Sequence, residues 1–153
     1  MNAQNMLIPE FEQYLFRAIP ITRALGIKID AIDASRASIS APIALNKNHL
    51  DTVFGGSSSM VCIVTAWSLF QHRIISNQLN GQLMIRQQEV NYFKPITGDF
   101  VCHAHFNEDV NWDAFLMTFK NKHKARLGIT ASIYQDDKLA VEFKGVFVLL
   151  NAD

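Results

Sequence analysis

Apolar residues recur at helical spacing near the start of the chain, at Ile8, Phe11, Leu15 and Ile19, with Pro9 early, Glu10 and Glu12 in the first turns and Arg17 late. Proline suits a first turn, where its missing N–H is not needed, and the order of charges opposes the helix dipole. The spacing predicts a short amphipathic helix that Pro20 stops. The period then changes to two. Ile27, Ile29 and Ala31 alternate with polar residues, as do Ala37, Ile39, Ala41 and Ile43, which predicts two strands joined by a tight turn near Asp33 to Ser35.

Residues 55 to about 77 read differently again. Met60, Val61, Cys62, Ile63, Val64, Ala66, Trp67, Leu69, Phe70, Ile74 and Ile75 cover nearly the whole circumference of a helix, so that helix must be buried on most sides. Strands are predicted over roughly residues 83–94, 100–106, 126–135 and 139–150, with turn signals at 95–99 and 135–138. Between the second and third of these, Trp112, Phe115, Leu116 and Phe119 fall at helical spacing in a polar segment, predicting a short helix docked by its aromatics. A buried helix followed by an antiparallel meander is the expected architecture, of α+β class.

Composition narrows the function classes. With 153 residues, 49% of them hydrophobic, and no Pro/Gly/Ser-rich linker, the chain is expected to form one domain spanning residues 1–153. Its 14 basic and 14 acidic residues cancel, so no overall positive field draws it to nucleic acid. Neither a secretory signal nor an apolar run long enough to span a bilayer is visible, and a cytoplasmic protein is expected. Cys62 and Cys102 stand in apolar stretches without metal or CxxC spacing, as free buried thiols do. His103 and His105 share one face of a strand, but no third ligand stands near them, so no metal is expected. His72 and His123 are most simply exposed.

The densest chemistry lies at residues 46–57, where Asn48, His49 and Asp51 precede Gly55 and Gly56 at the mouth of the long helix. Paired glycines let a ligand approach the first amides of a helix, which are unsatisfied donors at the positive end of its dipole. Such a place suits an oxyanion. The competing reading gives the same residues structural work: Asn48 or Asp51 stabilises a turn, the glycines relieve strain, and the serines at 57–59 cap the helix. A phosphate loop is excluded, since no Gly-Lys-Ser/Thr ending follows.

The order of elements, with Ile19-Pro-Ile-Thr22, Leu25-Gly26-Ile27, residues 40–46 (Ser-Ala-Pro-Ile-Ala-Leu-Asn), Asn48-His49, Thr52-Val-Phe-Gly-Gly-Ser57, Ala66-Trp67 and the closing Phe143-Lys-Gly145-Val-Phe147-Val-Leu149, resembles the thioesterase domain of the YiiD C-terminal type. Nearly the whole chain shares the resemblance. It implies a hotdog fold, in which a curled antiparallel sheet wraps one long central helix behind a short N-terminal helix. In some relatives this domain follows an N-acetyltransferase domain; here a stand-alone version is expected. The resemblance also implies hydrolysis of acyl thioesters, with no cofactor.

That reaction needs oxyanion donors, a base or nucleophile, and an apolar slot. Gly55 and Gly56 are the expected donors. Met60 and Val64 are candidates for the slot, and Thr52, Phe54 and Ser57 for further contacts with the substrate. Other hotdog thioesterases carry Asn-x-x-Gly-x-x-His-Gly-Gly and a carboxylate two helical turns on. Here Asn48, Gly55 and Gly56 match, but Asp51 replaces the first glycine, Phe54 the histidine, and Ile63 or Val64 the acid.

Two substitutes for the missing base are at hand: Asp51, and His49, since an imidazole ordinarily titrates near ~6.5. On an extended loop, residues two apart face one side, so both would address one cavity. Glu89 is a third candidate. Lys124 and Arg126, in a basic cluster with Lys120 and Lys122, are candidates for holding the phosphates of coenzyme A across a subunit boundary. The expected partners are an acyl-CoA or acyl carrier thioester and further copies of this chain, as a homodimer or dimer of dimers, because a lone hotdog sheet leaves an unpaired edge. Alternative readings are a noncatalytic acyl-thioester binding or regulatory module, favoured by the missing carboxylate, and a hotdog hydratase or dehydratase.

Overall fold

Helix α1 (Ile8–Ala18) forms where the apolar spacing predicts it, and buries Phe11 and Leu15. The Glu10 carboxylate accepts the otherwise unpaired Leu7 N–H at 3.3 Å, and Pro20 ends the helix by starting a 3-10 turn (Pro20–Arg23). The computed structural model describes residues 6–152. Strands β1 (Lys28–Ile32) and β2 (Arg36–Ala41) meet at a turn where Asp33 Oδ1 accepts the amides of Ser35 at 2.7 Å and Arg36 at 2.9 Å. Those amides hold its carboxyl below the usual carboxylate range.

The remaining elements are α2 (Gly55–Ser76), β3 (Gly81–Tyr92), β4 (Phe100–Phe106), α3 (Trp112–Lys122), β5 (Lys124–Gln135) and β6 (Lys138–Asn151). All pairings are antiparallel, and the six strands run β1-β2-β4-β5-β6-β3 across one sheet. This is the hotdog fold. The expected meander is corrected in one respect: of its four strands only β4, β5 and β6 neighbour one another in chain order, whereas β3 crosses to the far edge and pairs with β6. Composition explains the displacement. The polar residues Gln82, Arg86, Gln87, Gln88 and Glu89 are all exposed, so at a central position this strand would have placed charges and amides against α2.

Inner faces of the other strands present Ile39, Cys102, Ile129, Ile133, Phe143 and Phe147, all fully buried, to α2. No residue of α2 is exposed, as its apolar circumference predicts. Its Cys62 meets Cys102 of β4 with Sγ atoms 3.6 Å apart; both thiols are free. The shared hydrogen bond and burial push the Cys62 thiol well up. His72, expected to be exposed, is instead half-buried with its ring edge-on to Phe11 at 5.5 Å, because α1 packs over that turn of α2. Burial lowers its pKa. No helix among the described residues is long and apolar enough to cross a membrane.

Gly145 shows how tightly the sheet is filled. Residues 143, 145 and 147 share the inner face of β6, and the two phenylalanine rings close over the glycine with centroids 6.5 Å apart. A Cβ there would lie 2.6 Å from Phe143 Cε1 and 3.0 Å from Phe147 Cε2. Both rings are fully buried and have no room to retreat, so Gly145→Ala is expected to cost about 1–3 kcal/mol by overpacking. Urea unfolding measures this, and an unchanged midpoint would contradict it.

Candidate functional site

The loop ahead of α2 is anchored before it is shaped. Asn46, 2% exposed, donates its side-chain amide to the carbonyls of Leu25 at 2.9 Å and Pro42 at 2.8 Å. Its own carbonyl accepts the Phe54 N–H at 2.8 Å, and the Val53 N–H reaches the Ile96 carbonyl at 2.9 Å. Both ends of residues 46–54 are thereby tied to the body of the fold, and α2 has a fixed point of departure.

Between these ties the chain turns instead of running extended. The Asn48 N–H donates to the Thr52 carbonyl at 2.8 Å, while Asn48 Oδ1 accepts the amides of Leu50 at 2.9 Å and Thr52 at 3.2 Å. Asp51 takes a left-handed backbone, with φ 56°, which aspartate tolerates better than most residues. Its carboxylate accepts the Lys47 ammonium at 2.6 Å and is 78% exposed. That hydrogen bond and the attraction of Lys47 hold the carboxyl below its ordinary value.

The premise that put His49 and Asp51 on one side, an extended loop, is therefore corrected. Both are exposed, and neither lines the pocket at the helix start. Glu89 is exposed on β3 and accepts the Asn91 side-chain amide at 2.8 Å.

At the helix start, the expectation that serines cap the N-terminus is also corrected. The hydroxyls of Ser58 and Ser59 donate backward to the carbonyls of Gly55 at 3.0 Å and Gly56 at 3.1 Å, and the N-cap residue Phe54 supplies no side-chain acceptor. Ser58 N–H is the first amide with a partner, the Phe54 carbonyl at 3.0 Å. The amides of Gly55, Gly56 and Ser57 have no acceptor among the described residues. Three donors thus converge at the positive end of a 22-residue helix.

A pocket of about 330 Å³ adjoins the first of them: Gly55 lines it, with Thr52, Ser58, Tyr92, Lys94 and Val141 among others, whereas Gly56 and Ser57 do not. The Tyr92 hydroxyl donates to the Gly55 carbonyl at 3.2 Å. The ring of Phe54, itself exposed, lies over Gly56 where a Cβ would stand. Ser57 is half-buried; so is Met60, which packs against the core, whereas Val64 is part of the core.

A second cavity, a groove of about 870 Å³, opens between α3 and strands β3, β5 and β6. Lys124 and Arg126 line it, and Arg86 of β3 joins them because the register sets β3 and β5 on either side of β6. Asn107, Asp109 and Thr118 complete its polar wall. His103 and His105 line another cleft, of about 880 Å³, and face Ser38 and Arg36 across the β2–β4 ladder.

Tyr92, Lys94 and Arg86 are absent from the sequence-based candidates. No local motif marks them; each acquires its place from the pairing of β3 with β6. Compared with known proteins, residues 8–151 match the family described as putative thioesterase (yiiD_Cterm). Among solved structures, the chain is similar to a protein of unknown function from Chlorobaculum tepidum (TM-score 0.88, 23% identity, 94% of each chain covered). It is also similar to a putative thioesterase from Shewanella oneidensis (TM-score 0.83, 22% identity, 94% of this chain and 96% of that one). A thioesterase from Haemophilus influenzae superposes with TM-score 0.72 at 13% identity, over 99% of this chain and 96% of that one.

Proposed function

Because the chain belongs to the putative thioesterase family of the YiiD C-terminal type, we propose that it hydrolyses acyl thioesters of coenzyme A at the start of α2. The observation that carries this reading is the set of unpartnered amides at Gly55, Gly56 and Ser57 at the start of α2, the first of which lines a pocket large enough for a thioester group. Such donors oppose little charge in the substrate but stabilise the oxyanion that develops as water attacks, and each is ordinarily worth about 10²–10³ in rate. His49 or Asp51, exposed on the loop ahead of α2 and outside the pocket lining, is proposed to take a proton from the attacking water. The tetrahedral intermediate then collapses, the C–S bond breaks, and the proton passes to the departing thiolate, leaving a carboxylic acid and free coenzyme A.

Thr52, Phe54 and Ser57 are proposed to flank the reacting group, and Met60 and Val64 to back the acyl slot. Lys124 and Arg126, now with Arg86, are proposed to receive the phosphates of the carrier. The chain is further proposed to act as a single domain and to assemble as a homodimer or dimer of dimers through β3, whose second edge has no partner among the described residues. Met84 and Ile85 stand exposed on that strand. In such an assembly the glycine loop of one chain faces strand residues of the next.

A second reading, a noncatalytic acyl-thioester binding module, draws support from the exposed Asp51 being engaged by Lys47. One experiment separates the two. Purified protein is offered acyl-CoAs of short, long and aromatic acyl groups, and free thiol is measured. Turnover is expected, with kcat/KM falling about tenfold or more on acyl-N-acetylcysteamine, which lacks the phosphates, if their contacts contribute ~1.4 kcal/mol or more. No turnover on any substrate, together with a raised melting temperature in acyl-CoA, identifies the binding module.

A further inference from the structure

Tyr92 closes β3 and meets the glycine loop from a distant part of the sequence. Its hydroxyl donates to the Gly55 carbonyl at 3.2 Å, and the buried Ser58 hydroxyl donates to the same oxygen at 3.0 Å. The Tyr92 ring lies 3.4 Å from where a Gly55 Cβ would stand. This carbonyl is half of a peptide unit whose other half is the Gly56 N–H. A peptide unit is planar, so fixing the direction of its C=O fixes the direction of its N–H. The plane stands in the first turn of α2, where the Gly55 carbonyl also accepts the Ser59 N–H in the helical pattern. Glycine on both sides leaves it freer to tilt than other residues would, and the two side-chain bonds at its carbonyl restrict that tilt further.

On this geometry we infer that Tyr92 is a positioning residue: through the Gly55 carbonyl it aims the Gly56 amide at the developing oxyanion. The inference rests on the thioesterase reading for its catalytic consequence, but the orientation of the amide does not depend on that reading. An oxyanion hole works because its donors are already aimed and need no reorganisation as charge develops. Ser58 is positioned by the helix that it belongs to; Tyr92 adds a tie from the edge strand β3, so the helix start and the end of β3 hold a common geometry. Phe54 packs over Gly56 and narrows the room for the plane to turn.

Tyr92→Phe tests this, since it keeps the ring against Gly55 and removes only the hydroxyl. Two readouts are taken on the full chain: steady-state kinetics with acyl-CoA, and the order parameter and residual dipolar coupling of the Gly56 N–H by NMR. The expected result is a kcat about tenfold lower, a fraction of the loss for a deleted oxyanion donor, with KM unchanged and a Gly56 N–H that is reoriented or more mobile. A variant in which the Gly56 N–H keeps its orientation and order overturns the inference, whether kcat falls or not. So does a reoriented Gly56 amide with wild-type kcat. If wild type turns over no thioester, the thioesterase reading fails on that ground, and the NMR arm alone decides whether Tyr92 positions the amide.

Discussion

The double variant His49→Ala/Asp51→Asn is expected to release thiol from acyl-CoA about 10²–10⁴-fold more slowly than wild type, the range that loss of a general base spans. The substitutions are chosen so that a fall in rate reports chemistry and not folding. Asparagine accepts the left-handed backbone at position 51, and the Lys47–Asp51 ion pair is too exposed to stabilise the fold appreciably. His49 is exposed, and surface substitutions of this kind ordinarily stay within about 0.5 kcal/mol. The single variants divide the work. Lys47 keeps Asp51 ionised by lowering its pKa, which makes it a poor proton acceptor near neutrality, so His49→Ala should account for most of the loss. Wild-type turnover in the double variant would mean that the base comes from elsewhere, with Glu89 of a neighbouring copy the next residue to replace.

Phe70→Ala is expected to lower the free energy of unfolding by about 3–5 kcal/mol, the usual cost of deleting a buried phenylalanine ring. Phe70 is fully buried on α2 and is the point where α3 is fastened to it. Its ring meets Phe115 edge-on at 5.4 Å, Phe106 at 5.9 Å and Trp112 at 6.1 Å. Each such pair is worth about 0.5–1.5 kcal/mol beyond the area it buries, so the cavity would open within a cluster whose members all lose a partner. Thermal unfolding should show a melting point lower by about 6–20 °C, at about 2–4 °C per kcal/mol for a chain of this length. Amide exchange should quicken first in residues 112–122. Met117→Ala on the exposed side of the same helix is the control. A loss below about 1 kcal/mol at Phe70 would mean that the cluster closes over the gap.

Much of this molecule is legible residue by residue. Helical spacing at Ile8, Phe11 and Leu15, the apolar circumference of residues 55 to about 77 and the alternation from Arg126 to Gln135 each place an element within two residues of its observed bounds, because burial on one face leaves a periodic trace along the chain itself. The aromatic run at Trp112, Phe115 and Phe119 likewise marks α3 and the face by which it docks. The glycine loop is legible too, since Gly55 and Gly56 before an apolar helix announce free amides by residue type alone.

What surrounds those amides is not written locally. Asp51 leaves the expected extended course because Asn48 closes a turn on Thr52 and Lys47 holds the carboxylate outward, a balance of hydrogen bonds that no periodicity reports. Strand β3 pairs with β6 at the far edge of the sheet, and that single nonlocal choice brings Tyr92 to Gly55 and Arg86 beside Lys124 and Arg126. Periodicity tells each residue which way to face; it carries no information about which strand lies alongside, because that is settled by the burial of every other strand against α2 at once.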